Sequence, residues 1–216
     1  MPPGRESVAG VILAGGRGTR MGGVDKGWAP WRGRFLIERV LERLAPQVGR
    51  VIINANRNLD RYCALGHLVV EDDNERYGRH AGPLAGMLAG LRHSALPWVV
   101  FVPCDVPALP ADLVARLLTA VGESGTPALA VSGGRRQPVF CLMPRALIPQ
   151  LDAALISGER RPTEFLEHVG AREVVFEDAA AFANINTGGS DAGGDAATAT
   201  SAAVAANPAA TPERQG

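Results

Sequence analysis

Short, uninterrupted apolar runs alternate along the first half of the chain with longer stretches in which apolar residues recur at helical spacing. The runs are residues 8–13, 48–53, 68–70 and 98–102. Runs this short and this continuous are the pattern of parallel strands covered on both faces. Between them, residues 35–44 set Leu36, Ile37, Val40, Leu41 and Leu44 on one helical face, with Glu38, Arg39, Glu42 and Arg43 opposite. Residues 83–91 and 110–121 read as two more helices, each with proline in the first turn, where its missing N–H has no helical partner to lose. The alternation predicts an α/β fold, a Rossmann-like, doubly wound, mostly parallel sheet with helices on both faces.

The second half is less regular. Residues 127–131, 138–143 and 172–176 suit strands, and residues 145–155 and 162–168 suit helices. No linker-like composition separates the halves, so residues 1–187 are expected to form one domain. Residues 188–216 differ abruptly: ten alanines and five glycines, no aromatic and a single β-branched aliphatic, Val204. Such a segment buries too little apolar surface to offset the entropy of ordering, and a disordered Ala/Gly-rich tail is expected there.

Composition narrows the function classes. With 46% hydrophobic and 20% charged residues the chain has material for a core, and 22 basic residues balance 22 acidic ones. A net charge of zero argues against a broad surface for nucleic acid or anionic membrane. The N-terminal apolar stretch of residues 8–14 is far short of the roughly 20 residues of a membrane span and lacks the flanks of a signal peptide. Cys63, Cys104 and Cys141 have neither disulfide-framework nor zinc spacing, which favours reduced thiols in a cytoplasmic protein.

The densest chemical signal follows the first strand. Residues 15–23 contain five glycines, and Arg17, Arg20 and Lys26 outnumber Asp25 by two charges. Glycines let a backbone approach a ligand closely and turn successive N–H groups to one side, as a phosphate-cradling loop requires. It is neither of two common loops. A dinucleotide fingerprint begun at Gly16 meets Met21 at its third glycine, and a P-loop begun at Gly18 meets Val24 where lysine belongs.

Asp105 stands just beyond the apolar strand 98–102, at the same predicted sheet edge as the glycine loop, where ligands of open α/β sheets bind. It suits Mg²⁺, which takes one or two carboxylates plus phosphate oxygens, or a simple turn cap. Asn54 and Asn56 end the second strand, and Glu71, Asp72 and Asp73 end the third. These side chains can recognise a nucleobase or merely form turns. Asn184 and Asn186 fall on one face if extended, with amide oxygens suited to magnesium or ligand hydroxyls. The four histidines, His67, His80, His93 and His168, lack metal-ligand spacing. Residues 157–161, with paired arginines, read as an anion site or a solvated loop.

In order along residues 8–187, Leu13-Ala14-Gly15-Gly16, Arg20-Met21-Gly22-Gly23, Asp25-Lys26, Asn54-Ala55-Asn56-Arg57, Glu71-Asp72, Gly82-Pro83-Leu84-Ala85-Gly86-Met87, Pro103-Cys104-Asp105 and Asn184 to Thr187 resemble the molybdenum cofactor guanylyltransferases. The resemblance implies Mg²⁺-dependent transfer of GMP from GTP to the terminal phosphate of molybdenum-molybdopterin, giving the guanine dinucleotide cofactor and pyrophosphate. It implies nucleotide contacts at Leu13, Ala14, Gly15, Gly16, Lys26, Asn54, Asp72 and Asp105, with metal at Asp105. Arg20, Lys26 and Asp105 are the expected catalytic set, and Asn186 a further metal ligand. The N-terminal part is expected to bind nucleotide and the C-terminal part the pterin. GTP and molybdenum-molybdopterin are the implied substrates, with pterin-loading and molybdoenzyme chaperone proteins as candidate partners. One departure stands out: the family's final helix usually opens with Pro-Glu-Glu after Asn-Thr, whereas here Gly188-Gly189-Ser190-Asp191 follows.

A phosphate monoester has its second pKa at about 6, so the attacking oxygen is already largely deprotonated at neutral pH. No His/Asp base is required, and none is evident. Three alternatives share parts of the pattern: a cytidylyl counterpart using CTP, a sugar-phosphate or isoprenoid-precursor nucleotidyltransferase, and a non-catalytic GTP-binding module. Gly15-Gly16 with Asp25-Lys26 favours the guanylyl reading.

Overall fold

The structure is a computed structural model that describes residues 4–16, 25–78, 81–122 and 124–185. The strands are β1 (Val8–Leu13), β2 (Pro30–Trp31), β3 (Arg34–Phe35), β4 (Arg50–Asn54), β5 (Leu68–Val70), β6 (Trp98–Pro103), β7 (Ala128–Ser132), β8 (Arg135–Pro144) and β9 (Arg172–Phe176). The helices are α1 (Leu36–Leu44), α2 (Leu59–Cys63), α3 (Asn74–Tyr77), α4 (Pro83–His93), α5 (Leu113–Val121), α6 (Ile148–Ile156) and α7 (Pro162–His168). All but β2 and β3 of the strands join one seven-stranded sheet among the described residues, in the order β5-β4-β1-β6-β8-β7-β9.

The apolar runs became parallel strands as expected. β4, β1 and β6 lie side by side in parallel, with Leu13 level with both Asn54 and Pro103. Side chains alternate between two cores. Val8 and Ile12 of β1, Val51 and Ile53 of β4, and Val100 and Val102 of β6 face α1 and α5. Val11, Ile52, Val99 and Phe101 face α4, α6 and α7. Full burial of each such side chain is worth about 1.5–3 kcal/mol, and the interiors of these strands, between their end residues, carry apolar residues or glycine throughout. The sheet is therefore doubly wound, as predicted.

α4 is buried nearly all round because it lies between the sheet and α6. Its Gly90 permits the contact: a Cβ there would fall 2.7 Å from Val11 Cγ2. Apolar runs do not encode direction, and β8 runs antiparallel between β6 and β7. A tight turn with positive φ at Gly133 and Gly134 makes that reversal.

β1 has β4 on one side and β6 on the other, so the chain reverses its winding at β1. The crevice beyond the carboxyl ends of β1 and β6 is where such sheets bind ligands. No helix among the described residues is long and apolar enough to cross a membrane. The segment from 188 to 216, expected as a tail, lies outside the described residues.

Candidate active site

β1 delivers the glycine loop between its two neighbours. Ala14 N–H donates to Asn54 O at 2.8 Å and Cys104 N–H to Leu13 O at 3.2 Å, so Leu13, Ala14, Gly15 and Gly16 leave the sheet at the switch point. Residues 17–24, including Arg20, lie outside the described residues, and so does Asn186.

On the β4 side stands a closed amide–carboxylate cluster. Asn54, almost fully buried, donates from Nδ2 to Asp72 Oδ1 at 2.9 Å and to Val70 O at 3.3 Å. Asn56 Nδ2 donates to Asp72 Oδ2 at 2.8 Å, and Asp72 N–H returns a bond to Asn56 Oδ1 at 2.8 Å. Both carboxylate oxygens of Asp72 thus already accept from amides. The cluster is wedged between two glycines. A Cβ on Gly15 would lie 2.7 Å from Asn56 Nδ2, and one on Gly86 would fall inside the radius of Asn54 Oδ1 and 2.9 Å from its Cγ. Two glycine motifs 71 residues apart in sequence therefore serve one close approach.

On the β6 side, Asp105 is 5% exposed and receives Lys26 Nζ on Oδ2 at 2.9 Å. The sequence brings each to the sheet edge separately; the structure joins them across a separation of 79 residues. Ile185 N–H donates to Asp105 O at 2.9 Å, which returns the chain after β9 to this edge and puts Asn184 beside it in sequence.

Asp25 has a different place from the one its charge suggests. It is 7% exposed, and its carboxylate accepts from Tyr62 Oη at 2.7 Å, Asn58 Nδ2 at 2.9 Å and Gly27 N–H at 3.2 Å. Arg57 Nε lies 3.9 Å away. Burial, followed by the hydrogen bond to Asp25, pushes the Tyr62 phenol well up, so it stays a donor. Neither Tyr62 nor Asn58 is legible from sequence spacing. α2 has only five residues, too few to show a period, and Asn58 precedes it in the left-handed region at φ 52°.

The three cysteines are free thiols. Burial pushes Cys104 and Cys141 far up, and at Cys104 the charges of Asp105 and Asp25 add to it. Neither thiol is an accessible nucleophile. The paired arginines at 157–161 also have structural work. Arg160 donates to Leu155 O, Glu159 O and Tyr77 O at 2.7–3.2 Å, while Arg161 pairs with Glu164. Arg160 thus fastens this loop to α3 instead of presenting its guanidinium to a phosphate.

A basic and an acidic group meeting at the switch point beside a glycine loop are suited to handling a nucleotide's phosphates. Residues 10–174 match the family model described as the MobA-like NTP transferase domain, and the protein is a nucleotidyltransferase. Over 189 residues it is 50% identical to the molybdenum cofactor guanylyltransferases of Cupriavidus taiwanensis and Cupriavidus necator, a match covering 85% of this chain and 94% of each relative. The chain belongs to the molybdenum cofactor guanylyltransferase family, the one its motifs resemble. Its fold is also that of molybdopterin-guanine dinucleotide biosynthesis protein A from Archaeoglobus fulgidus, with a TM-score of 0.63 and 22% identity over 82% of this chain and 92% of that one.

Proposed function

We propose that the protein transfers GMP from GTP to the terminal phosphate of molybdenum-molybdopterin, releasing pyrophosphate and forming molybdopterin guanine dinucleotide. The observation that carries this reading is the meeting of Lys26 and Asp105 at 2.9 Å on the edge where Gly15 and Gly16 leave β1. An oxygen of the pterin phosphate attacks the α-phosphorus, the bond from that phosphorus to the bridging oxygen of pyrophosphate breaks, and the leaving oxygen carries the charge away. The acceptor oxygen is already largely ionised, so the protein's task is to hold two anions in line and neutralise developing charge. Lys26 does this from the ammonium side, with Arg20 assigned the same role on the loop. The backbone of Leu13 to Gly16 lines the nucleotide. Asn54 and Asp72 form the wall toward its nucleoside part; each Asp72 oxygen retains a second lone pair for a ligand donor.

Magnesium fits the residues present. Among the described residues no cluster of three or more metal-binding side chains exists, but one buried carboxylate at Asp105 is the kind of anchor that Mg²⁺ uses together with phosphate oxygens. Asp105 would hold it, with Asn186 as a second ligand, and the ion would offset charge on the phosphates. The C-terminal part is assigned to the pterin and the protein to the cytoplasm, without nucleic-acid or membrane partners; pterin-loading and molybdoenzyme chaperones are its proposed protein partners. The test is pyrophosphate release with GTP and with CTP, each with and without molybdenum-molybdopterin. Release that requires both GTP and the pterin supports the reading. Release with CTP alone, or GTP binding with no release, contradicts it.

A further inference from the structure

The turn between β4 and α2, together with α2 itself, touches the two described ends of the glycine loop. On the entry side, Asn56 Nδ2 reaches Gly15 O at 3.5 Å and Arg57 Nη2 donates to Gly16 O at 3.1 Å. On the exit side, after the eight residues 17–24, Asn58 and Tyr62 donate to the two carboxylate oxygens of Asp25. Asp25 in turn caps the single 3₁₀ turn that begins with Lys26, accepting from Gly27 N–H. With three donors on two oxygens, the carboxylate is fixed in direction, and Lys26 is the next residue in the chain.

The neighbouring side chains are arranged around this contact. Gly27 has no side chain to obstruct the Tyr62 hydroxyl; a Cβ there would lie 3.3 Å from Tyr62 Cζ and closer still to Oη. Tyr62 is fully buried, Trp28 packs on its ring with centroids 5.2 Å apart, and Phe35 meets Trp28 at 5.3 Å. Arg61 lies over the outer face of Trp28, 4.0 Å from the ring centroid. The buried Asp25 carboxylate is thus held by Tyr62, Asn58 and the Gly27 N–H, with Arg57 Nε 3.9 Å away, and these fixed contacts suit it to orienting the residue that follows it.

We propose that Tyr62 and Asn58, acting through Asp25, are positioning residues that aim Lys26 at the nucleotide phosphates. The inference rests on the reading of Lys26 as a phosphate contact given above. Neither residue touches substrate. Their loss is expected to weaken recognition of the triphosphate and leave recognition of the nucleoside unchanged.

The test uses the full chain with Tyr62→Phe, which keeps the ring, and Asn58→Gly, which keeps the positive φ at no steric cost. Calorimetric affinities are measured for GTP with Mg²⁺ and for guanosine, with CTP and cytidine in parallel. Each variant should bind the triphosphate about tenfold more weakly and the nucleoside unchanged, the loss expected for one misdirected charge-assisted contact. In a Lys26→Ala background neither change should add a further loss, because the contact being aimed is gone. Equal weakening of triphosphate and nucleoside, unaltered binding of both, or full additivity with Lys26→Ala overturns the inference. If Tyr62→Phe does not give a cooperative melt, Asn58→Gly decides alone. The tenfold pattern with the cytidine pair and not the guanosine pair refutes the guanylyl reading and leaves the positioning role standing. A wild type that binds neither triphosphate more tightly than its nucleoside refutes both.

Discussion

Gly86→Ala puts two opposing effects in direct competition. In an exposed helix interior, alanine for glycine stabilises by about 0.8–1 kcal/mol through backbone entropy. At Gly86 of α4 the new methyl would collide with Asn54 Oδ1 and come within 3.1 Å of Leu13 Cδ2. Asn54 is buried and cannot swing away without giving up its bonds to Asp72 Oδ1 and Val70 O. Leaving buried polar groups unpaired costs about 1–3 kcal/mol each, so the collision outweighs the propensity gain. A net loss of about 2 kcal/mol lowers the melting temperature of a domain this size by about 4–8 °C. Because the displaced amide belongs to the cluster under Gly15, nucleotide affinity should fall as well. Gly90→Ala is the control. It crowds Val11 Cγ2 at 2.7 Å and Phe101 Cε1 at 3.2 Å, and should cost about 1–3 kcal/mol by overpacking without touching the cluster. Thermal melts followed by nucleotide calorimetry on both variants separate the cases. A Gly86→Ala protein that melts at or above wild type with unchanged nucleotide affinity would refute the reasoning.

Asp105→Ala is expected to keep a cooperative melt and lose Mg²⁺-dependent turnover; turnover at the wild-type rate would remove Asp105 from the metal site. Asp152 is held below the ordinary carboxylate value of 3.8 by its hydrogen bond from Tyr77 and then by Arg76 and Arg92, which binds α6 to α3 and α4. Its contribution is therefore complete above that value and lost as pH falls through the lower folded one. Asp152→Asn should lower the melting temperature at pH 7 and converge on wild type in strong acid; a difference that persists there contradicts this origin. Removal of residues 188–216 is expected from their composition to leave melting temperature and turnover unchanged, and loss of a cooperative melt would show that they pack.

Several of these features were open to sequence reading because they rest on local rules. A run such as Val99 to Val102 admits no surface position, so its burial and its place inside a sheet covered on both faces follow from its apolar residues. Asp105 and the glycine loop were assigned to one edge because strands of a doubly wound sheet end together. The direction of β8 was hidden, since an apolar run looks the same either way. β2 and β3 have two residues each, joined by a turn with positive φ at Arg32 and Gly33, and α2 has five; none is long enough for periodicity to register. The roles of Asp25 and Tyr62 were hidden for another reason. Asp25 counted as a loop charge in sequence, and only the fold brings a tyrosine 37 residues away to neutralise its hydrogen-bonding demand.

The proposed reaction joins GMP to a pterin phosphate. Incubating the full chain with GTP, Mg²⁺ and molybdenum-loaded molybdopterin, and weighing the product, tests it most directly. The expected product is a species heavier than the pterin substrate by one GMP residue, formed with one pyrophosphate per product. An unmodified pterin, or an adduct that appears only when CTP replaces GTP, would contradict it.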